Sequence, residues 1–279
     1  MRFGAHVPGG VKSGVARAVE IGAECIQIFA AAPQSWRAPS HSDIEVEAFR
    51  RGCAEHGLSP VYLHGLYLLN FASENDGLWQ RSVEAALCHQ QWADRLGAAG
   101  QIVHLGSGGA QTPAQARRRV VEAVRSILDR YHGPSKLLLE TCAGQGNTIG
   151  RTFDELAEIL AALDDPRLGV CLDTAHVFAA GYDVVTPEGL NETLRQLDGT
   201  VGLDRLWCLH ANDSKAPRGS NVDRHENIGR GCIGEGGFRV ILHHPALQHL
   251  PVILEVPGYD GQGPDRPNLE TLRRLAGAA

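Results

Sequence analysis

Between Leu206 and Gly231 the chain reads LWCLHANDSKAPRGSNVDRHENIGRG. An apolar run stops abruptly at His210, and about twenty residues rich in polar side chains, Gly and Pro follow before a helical pattern resumes near Glu235. A strand that ends on a metal-capable side chain is how a barrel delivers chemistry to its C-terminal rim. Asp223 and His225 stand two apart, a spacing that turns both side chains to one side of an extended backbone. One carboxylate and two imidazoles in so short a segment suit zinc, or a similar ion, bound through nitrogen and oxygen. A solvated loop with incidental histidines is the competing reading, since His and Asp are common in loops. The repetition of the pattern elsewhere favours chemistry.

The elements that must position these groups are short. Along the 279 residues, β-rich apolar runs alternate with helical patterns, the signature of successive βα units and a parallel sheet. The expected strands are 2–5, 25–29, 61–63, 101–103, 137–139, 168–172, 206–209 and 252–254, and the expected helices are 11–21, 44–56, 78–96, 113–131, 153–163, 187–201, 236–243 and 268–276. No proline-rich linker or charge run separates two halves. The predicted fold is therefore α/β, a single (β/α)8 TIM barrel over 1–279 with a metal site at the C-terminal rim of its strands, and an open doubly wound sheet is the alternative.

The strand ends can then be compared. Seven of the eight finish on a group able to hold a metal or a proton, namely His6, His64, His104, Glu140, Asp173, His210 and Glu255. Any one of these could cap a helix or satisfy a backbone group. Seven together on one rim would crowd desolvated carboxylates and imidazoles, which divalent cations would neutralise. His176 lies three residues beyond Asp173 and is reachable from the same rim. His64, His104, Glu140, Asp173, His176, His210, Asp223, His225 and Glu255 make nine candidates, more than the three protein ligands typical of one catalytic zinc. That excess predicts a multinuclear cluster, which suits phosphate chemistry because separate ions can generate the nucleophile and stabilise the leaving oxygen.

Composition sets outer bounds. With 43% hydrophobic and 21% charged residues, and no apolar stretch near the ~20 residues of a membrane helix, a globular protein with no membrane partner is expected. The first residues lack the long apolar run of a signal peptide, so a cytoplasmic location is expected. Seven cysteines form no CxxC pair and argue for a reducing compartment rather than a disulfide framework. The net charge of −6 decides little, because bound divalent ions would offset it. Gly106 to Gly109 and Gly144 to Gly146 match neither a P-loop nor a dinucleotide fingerprint and read as tight rim turns. Arg37, Lys215, Arg218, Arg224 and Arg230 fall in presumed rim loops, where they could meet phosphates.

The segments GAHV, IQIF, LHGLYLLN, IVHLGS, LLETCAGQGNTIG, GVCLDTAHVFAAGYD, LHANDSKAPRGSNVDRHENIGRGCIG and VILEVP run in order from Phe3 to Pro257. In this series the chain closely resembles the endonuclease IV family of zinc-dependent apurinic/apyrimidinic endonucleases of base excision repair. The resemblance implies a monomer acting on double-stranded DNA that contains abasic sites, with three Zn2+ ions, or Mn2+ at one site. It implies cleavage on the 5′ side of the lesion to leave a 3′ hydroxyl, together with removal of 3′ blocking groups. Carried over by position, His64, His104 and Glu140 would hold a first ion, Glu140 with Asp173, His210 and Glu255 a second, and His176, Asp223 and His225 a third. Glu140 and Glu255 would be the catalytic carboxylates, Glu255 orienting the nucleophile. Tyr67 and Leu68 match positions that enter the minor groove at the lesion, and Lys215, Arg218 and Arg224 are expected to contact DNA.

Two segments depart from the family's pattern. AAAPQSW follows Phe29 where a basic DNA-contacting loop is expected, and Gly108 stands where a His often follows the GS of the fourth loop. These departures put damage recognition in more question than hydrolysis. A two-metal sugar isomerase and a zinc-retaining DNA-binding protein without turnover are the alternatives, and the third ligand group speaks against the isomerase.

Overall fold

The computed structural model describes residues 1–277. Eight parallel strands close on themselves: β1 (Arg2–His6), β2 (Ile26–Ile28), β3 (Val61–His64), β4 (Gly100–Val103), β5 (Lys136–Glu140), β6 (Leu168–Asp173), β7 (Leu206–His210) and, after a short ribbon, β10 (Pro251–Leu254). β1 pairs with both β2 and β10, so the barrel has no free edge and the open-sheet alternative is excluded. The ring of helices comprises α1 (Gly10–Ile21), α2 (Asp43–Glu55), α3 (Asp76–Leu96), α4 (Pro113–Arg130), α5 (Phe153–Leu163), α7 (Pro187–Thr200), α8 (Gly234–His243) and α9 (Arg266–Leu275).

Helices α4, α5 and α7 start where expected, whereas α2, α3 and α9 start one or two residues earlier than apolar spacing predicts because their capping residues set the start. Ser42 and Glu45 form a reciprocal capping box at α2, Asn75 caps α3 through the backbone N–H of Leu78, and Asp265 caps α9 through that of Asn268. His56, Tyr131, Val201 and Ala276, expected as last helical residues, are the C-caps just outside. Cys25 and Phe29 likewise flank β2 rather than belong to it.

The core has two parts. Most of the apolar residues lie in one large buried cluster, which includes helix residues such as Phe49, Val83, Ile127 and Phe238 and strand residues such as Leu63, Val103 and Leu139. A separate group of seven, Cys25, Tyr62, Ile102, Leu138, Cys171, Cys208 and Ile253, is also buried. Each of the seven stands two residues before a rim group, and alternation along a strand therefore turns both inward. The inner layer is thus the floor on which Gln27, His64, His104, Glu140, Asp173, His210 and Glu255 sit. On β1 the corresponding floor position is Gly4, where a Cβ would overlap the backbone of Cys25.

Two elements have no counterpart in the expected series. A short helix α6 (Thr174–Ala180) follows β6 directly, and a two-stranded antiparallel ribbon, β8 (Asp213–Ser214) with β9 (His225–Glu226), folds the long seventh loop back over the rim. No helix among the described residues is long and apolar enough to cross a membrane.

Candidate metal centre

The rim groups meet in three sets. His64 Nε2 and His104 Nε2 lie 3.3 and 3.4 Å from Glu140 Oε2. The other Glu140 oxygen, Oε1, lies 3.1 Å from His210 Nδ1, which in turn faces Glu255 Oε2 at 3.3 Å and Asp173 Oδ2 at 3.9 Å. His176 Nε2 is 3.2 Å from Asp223 Oδ1, and His225 Nε2 is 3.4 Å from the same oxygen and 3.7 Å from Asp173 Oδ2. Glu140 therefore joins the first set to the second, and Asp173 joins the second to the third. His6 stays outside the sets, with its Nδ1 2.8 Å from Glu255 Oε1.

Backbone carbonyls set the imidazole orientations. Nδ1 of His64 contacts the carbonyl of Gly65 at 2.8 Å, and Nδ1 of His176 contacts that of Thr141 at 2.8 Å. His225 Nδ1 faces the carbonyl of Glu255 at 3.3 Å. A carbonyl only accepts, so these nitrogens donate and leave the three Nε2 atoms facing the sets as the ligand positions, the arrangement that second partners impose on metal-binding histidines.

The turn after β6 places two groups at once. Asp173 is the N-cap of α6, its Oδ1 accepting from the backbone N–H of His176 at 2.9 Å, which leaves Oδ2 toward the centre. The seventh loop is organised by Asp213, a fully buried carboxylate that accepts from the backbone N–H groups of Ser214, Gly229, Gly231, Ile233 and Gly234. Burial nonetheless pushes its carboxyl group up from the usual range. The ribbon anchored this way carries Asp223 and His225 back to His176.

Charge is balanced inside the protein. Burial alone would strip the proton from His210, but Glu255 and Glu140 outweigh it and hold the ring well above the ordinary histidine range. His176 rises likewise, against burial, because of Asp173 and Asp223. His64 is raised against burial by Glu140, whereas burial keeps His104 lowered. Against the same burial, neighbouring imidazoles hold Glu140 and Glu255 well below the carboxylate range, and Asp223 falls to about 2. Cation binding at these groups would displace imidazole protons, and the donor set of nitrogen and carboxylate oxygen fits a divalent ion of the zinc type. Cys171 and Cys208 approach His210 from the floor, where burial raises the Cys171 thiol well above its ordinary range.

The centre opens into a cleft of about 930 Å³ lined by His64, His104, Asp223, His225, Glu255 and Tyr67. The Tyr67 ring stands edge-on to Phe29 at 5.1 Å and the residue is 58% exposed, while Leu68 is half-buried. Ala30, Ala31, Ala32 and Pro33 give the cleft an apolar wall. Of the basic residues expected to meet DNA, Arg224 lines the cleft, Arg218 pairs with Asp183 at 2.7 Å, and Lys215 lies 3.7 Å from Glu226. Gly108 is buried, and a Cβ there would stand 2.6 Å from the methyl of Ala116, so this backbone does not admit a larger residue without a shift.

Two site residues escaped the sequence reading. Gln27 contacts His6, His210 and Glu255, and Asn212 donates to Asp173 Oδ2 at 2.6 Å while accepting from the backbone N–H of Glu255 at 2.8 Å. Gln27 could have been found as the inward residue two after Cys25. Asn212 carries no such signal.

A family model described as a xylose isomerase-like TIM barrel matches residues 15–276. A probable endonuclease 4 from Streptomyces coelicolor is 44% identical over 280 residues, covering 97% of this chain and 94% of that one. The crystal structure of endonuclease IV from Thermus thermophilus superposes with a TM-score of 0.86 at 38% identity, covering 100% of each chain. A D-tagatose 3-epimerase-like protein superposes at 0.77 with 19% identity, covering 99% of this chain and 97% of that one, which is a likeness of fold alone. The chain belongs to the endonuclease IV family of xylose isomerase-like TIM barrels.

Proposed function

We propose that this protein is a DNA repair endonuclease that hydrolyses the phosphodiester bond 5′ to an abasic site in double-stranded DNA, leaving a 3′ hydroxyl, and that it also removes 3′ blocking groups. The observation that carries the reading is the linking of three nitrogen–oxygen donor sets through Glu140 and Asp173 on one rim. His64, His104 and Glu140 would hold one ion; Glu140, Asp173, His210 and Glu255 a second; and His176, Asp223 and His225 a third. Zinc fits all three, with Mn2+ an alternative at one. Such ions lower the pKa of water to about 7 and stabilise the attacking and leaving oxygens of an in-line displacement.

The chain's own residues bind and orient. Glu255 directs Oε2 into the centre and orients the attacking water, while Glu140, buried, holds the two ligand sets in register. Tyr67 and Leu68 fill the gap where a base is missing, and Arg224 at the cleft meets a phosphate. Lys215 and Arg218 contact DNA only after leaving Glu226 and Asp183. One barrel carries the whole donor set, which is consistent with a monomer, and we propose a monomer in the cytoplasm. The sugar-isomerase alternative leaves the third donor set unused.

The test is a duplex with one abasic site, incubated with the zinc-loaded protein. Cleavage at the lesion giving an end that a DNA polymerase extends is expected. Binding without cleavage would favour a damaged-DNA binding protein and overturn the assignment.

A further inference from the structure

We propose that Gln27 is a positioning residue whose single amide sets the geometry of one ion site from outside it, an inference that rests on the metal reading above. Gln27 is fully buried on β2, the one barrel strand that brings neither a carboxylate nor an imidazole to the rim.

His210 differs from the other imidazoles. His64, His176 and His225 turn Nδ1 to a backbone carbonyl and present Nε2, whereas His210 places Nε2 2.9 Å from Gln27 Oε1 and presents Nδ1 to Glu140, Glu255 and Asp173. An amide oxygen only accepts, so Gln27 keeps the His210 proton on Nε2 and leaves Nδ1 as the ligand atom.

The other end of the same amide fixes Glu255. Gln27 Nε2 donates to Glu255 Oε1 at 2.5 Å, and His6 Nδ1 approaches that oxygen at 2.8 Å. The 3.0 Å separation between Gln27 Nε2 and His6 Nδ1 follows from two donors converging on one acceptor. With Oε1 held from outside, Oε2 is the oxygen left for the centre. Reversing the amide would set its NH2 against the His210 N–H and its oxygen against a carboxylate, so the two contacts also fix its orientation. Gln27 thus couples two ligands of the set formed by Glu140, Asp173, His210 and Glu255, and its side-chain hydrogen bonds reach no ligand of the other sets.

Gln27→Met keeps the side-chain length and removes both bonds. Metal-free wild type and variant would be titrated with zinc against a chelating indicator. Loss of an outer partner typically costs about 10–100-fold in metal affinity. That loss is expected for one class of ion, with the remaining ions bound as in wild type. Unchanged affinity overturns the proposal, and so does equal weakening of every ion, which would make Gln27 a residue of the fold only. A second measurement needs no variant. In 15N NMR of zinc-loaded, histidine-labelled wild type, the His210 proton should be on Nε2; a proton on Nδ1 overturns the proposal. A wild-type chain that takes up no zinc would instead overturn the metal reading itself, and the proposal with it.

Discussion

Tyr67→Ala should weaken binding to abasic DNA specifically. The residue is 58% exposed, its ring edge-on to Phe29 at 5.1 Å and to His64 at 6.0 Å, so its exposed part is free to be covered by DNA. An aromatic side chain buries roughly 150–250 Å² when fully covered, and 58% of that at about 25 cal/mol per Å² is about 2–3.6 kcal/mol. Base-to-aromatic stacking measured by alanine substitution gives about 1–3 kcal/mol, so the two estimates overlap near 2–3 kcal/mol. At about 1.4 kcal/mol per tenfold, the variant should bind some 30–150-fold more weakly. The assay is fluorescence anisotropy in a Glu255→Gln background, comparing an abasic duplex with an intact one and checking zinc content. Equal losses on both duplexes, or no loss, would refute the argument that the ring fills the missing base.

Glu255→Gln should leave the barrel folded and DNA affinity largely intact while cutting single-turnover cleavage by about 10²–10⁴-fold; near wild-type cleavage would remove Glu255 from the mechanism. Asp213→Ala leaves five backbone N–H donors unpaired around a buried position. The donors of Ser214 and Ile233 are buried, so at about 1–3 kcal/mol per unsatisfied group these two alone should cost about 2–6 kcal/mol, and the ribbon that carries Asp223 and His225 should be released. A urea midpoint and zinc content equal to wild type would contradict this. Because the wall at Ala30 to Pro33 carries no charge, and Arg218 and Lys215 face protein carboxylates, affinity should fall less steeply with salt than in a relative with a basic second loop. The log–log slope should be smaller by about 0.9 per missing contact, and matching slopes in parallel titrations would show that other residues supply the phosphate contacts.

The barrel and most of its rim were legible because seven of the eight apolar runs end on a group with a charge or an imidazole, and that contrast is local. His6, His64, Glu140, Asp173 and His210 are the last residues of their strands, with His104 and Glu255 one residue beyond. What was not legible is non-local or neutral. The pairing of Asp213–Ser214 with His225–Glu226 joins two-residue strands across a loop, and nothing in either dipeptide announces it. Helix α6 was hidden because Ala175, Val177, Phe178 and Ala179 are all buried, leaving no polar face to mark a helical period. Gln27 and Asn212 carry no charge, and their importance lies in whom they touch. Arg218 looked available as a DNA contact because its sequence neighbours do not reveal Asp183, thirty-five residues earlier.

In the proposed function His64, His104, Glu140, Asp173, His176, His210, Asp223, His225 and Glu255 form a three-ion centre that cleaves abasic DNA. Metal analysis of the purified, active protein, with cleavage of an abasic duplex followed as zinc is removed and restored, tests it most directly. Three zinc ions per chain, or two with one manganese, are expected, with loss of cleavage on chelation and its return on reloading. Full cleavage at one ion per chain, or cleavage that survives complete metal removal, would contradict the proposed function.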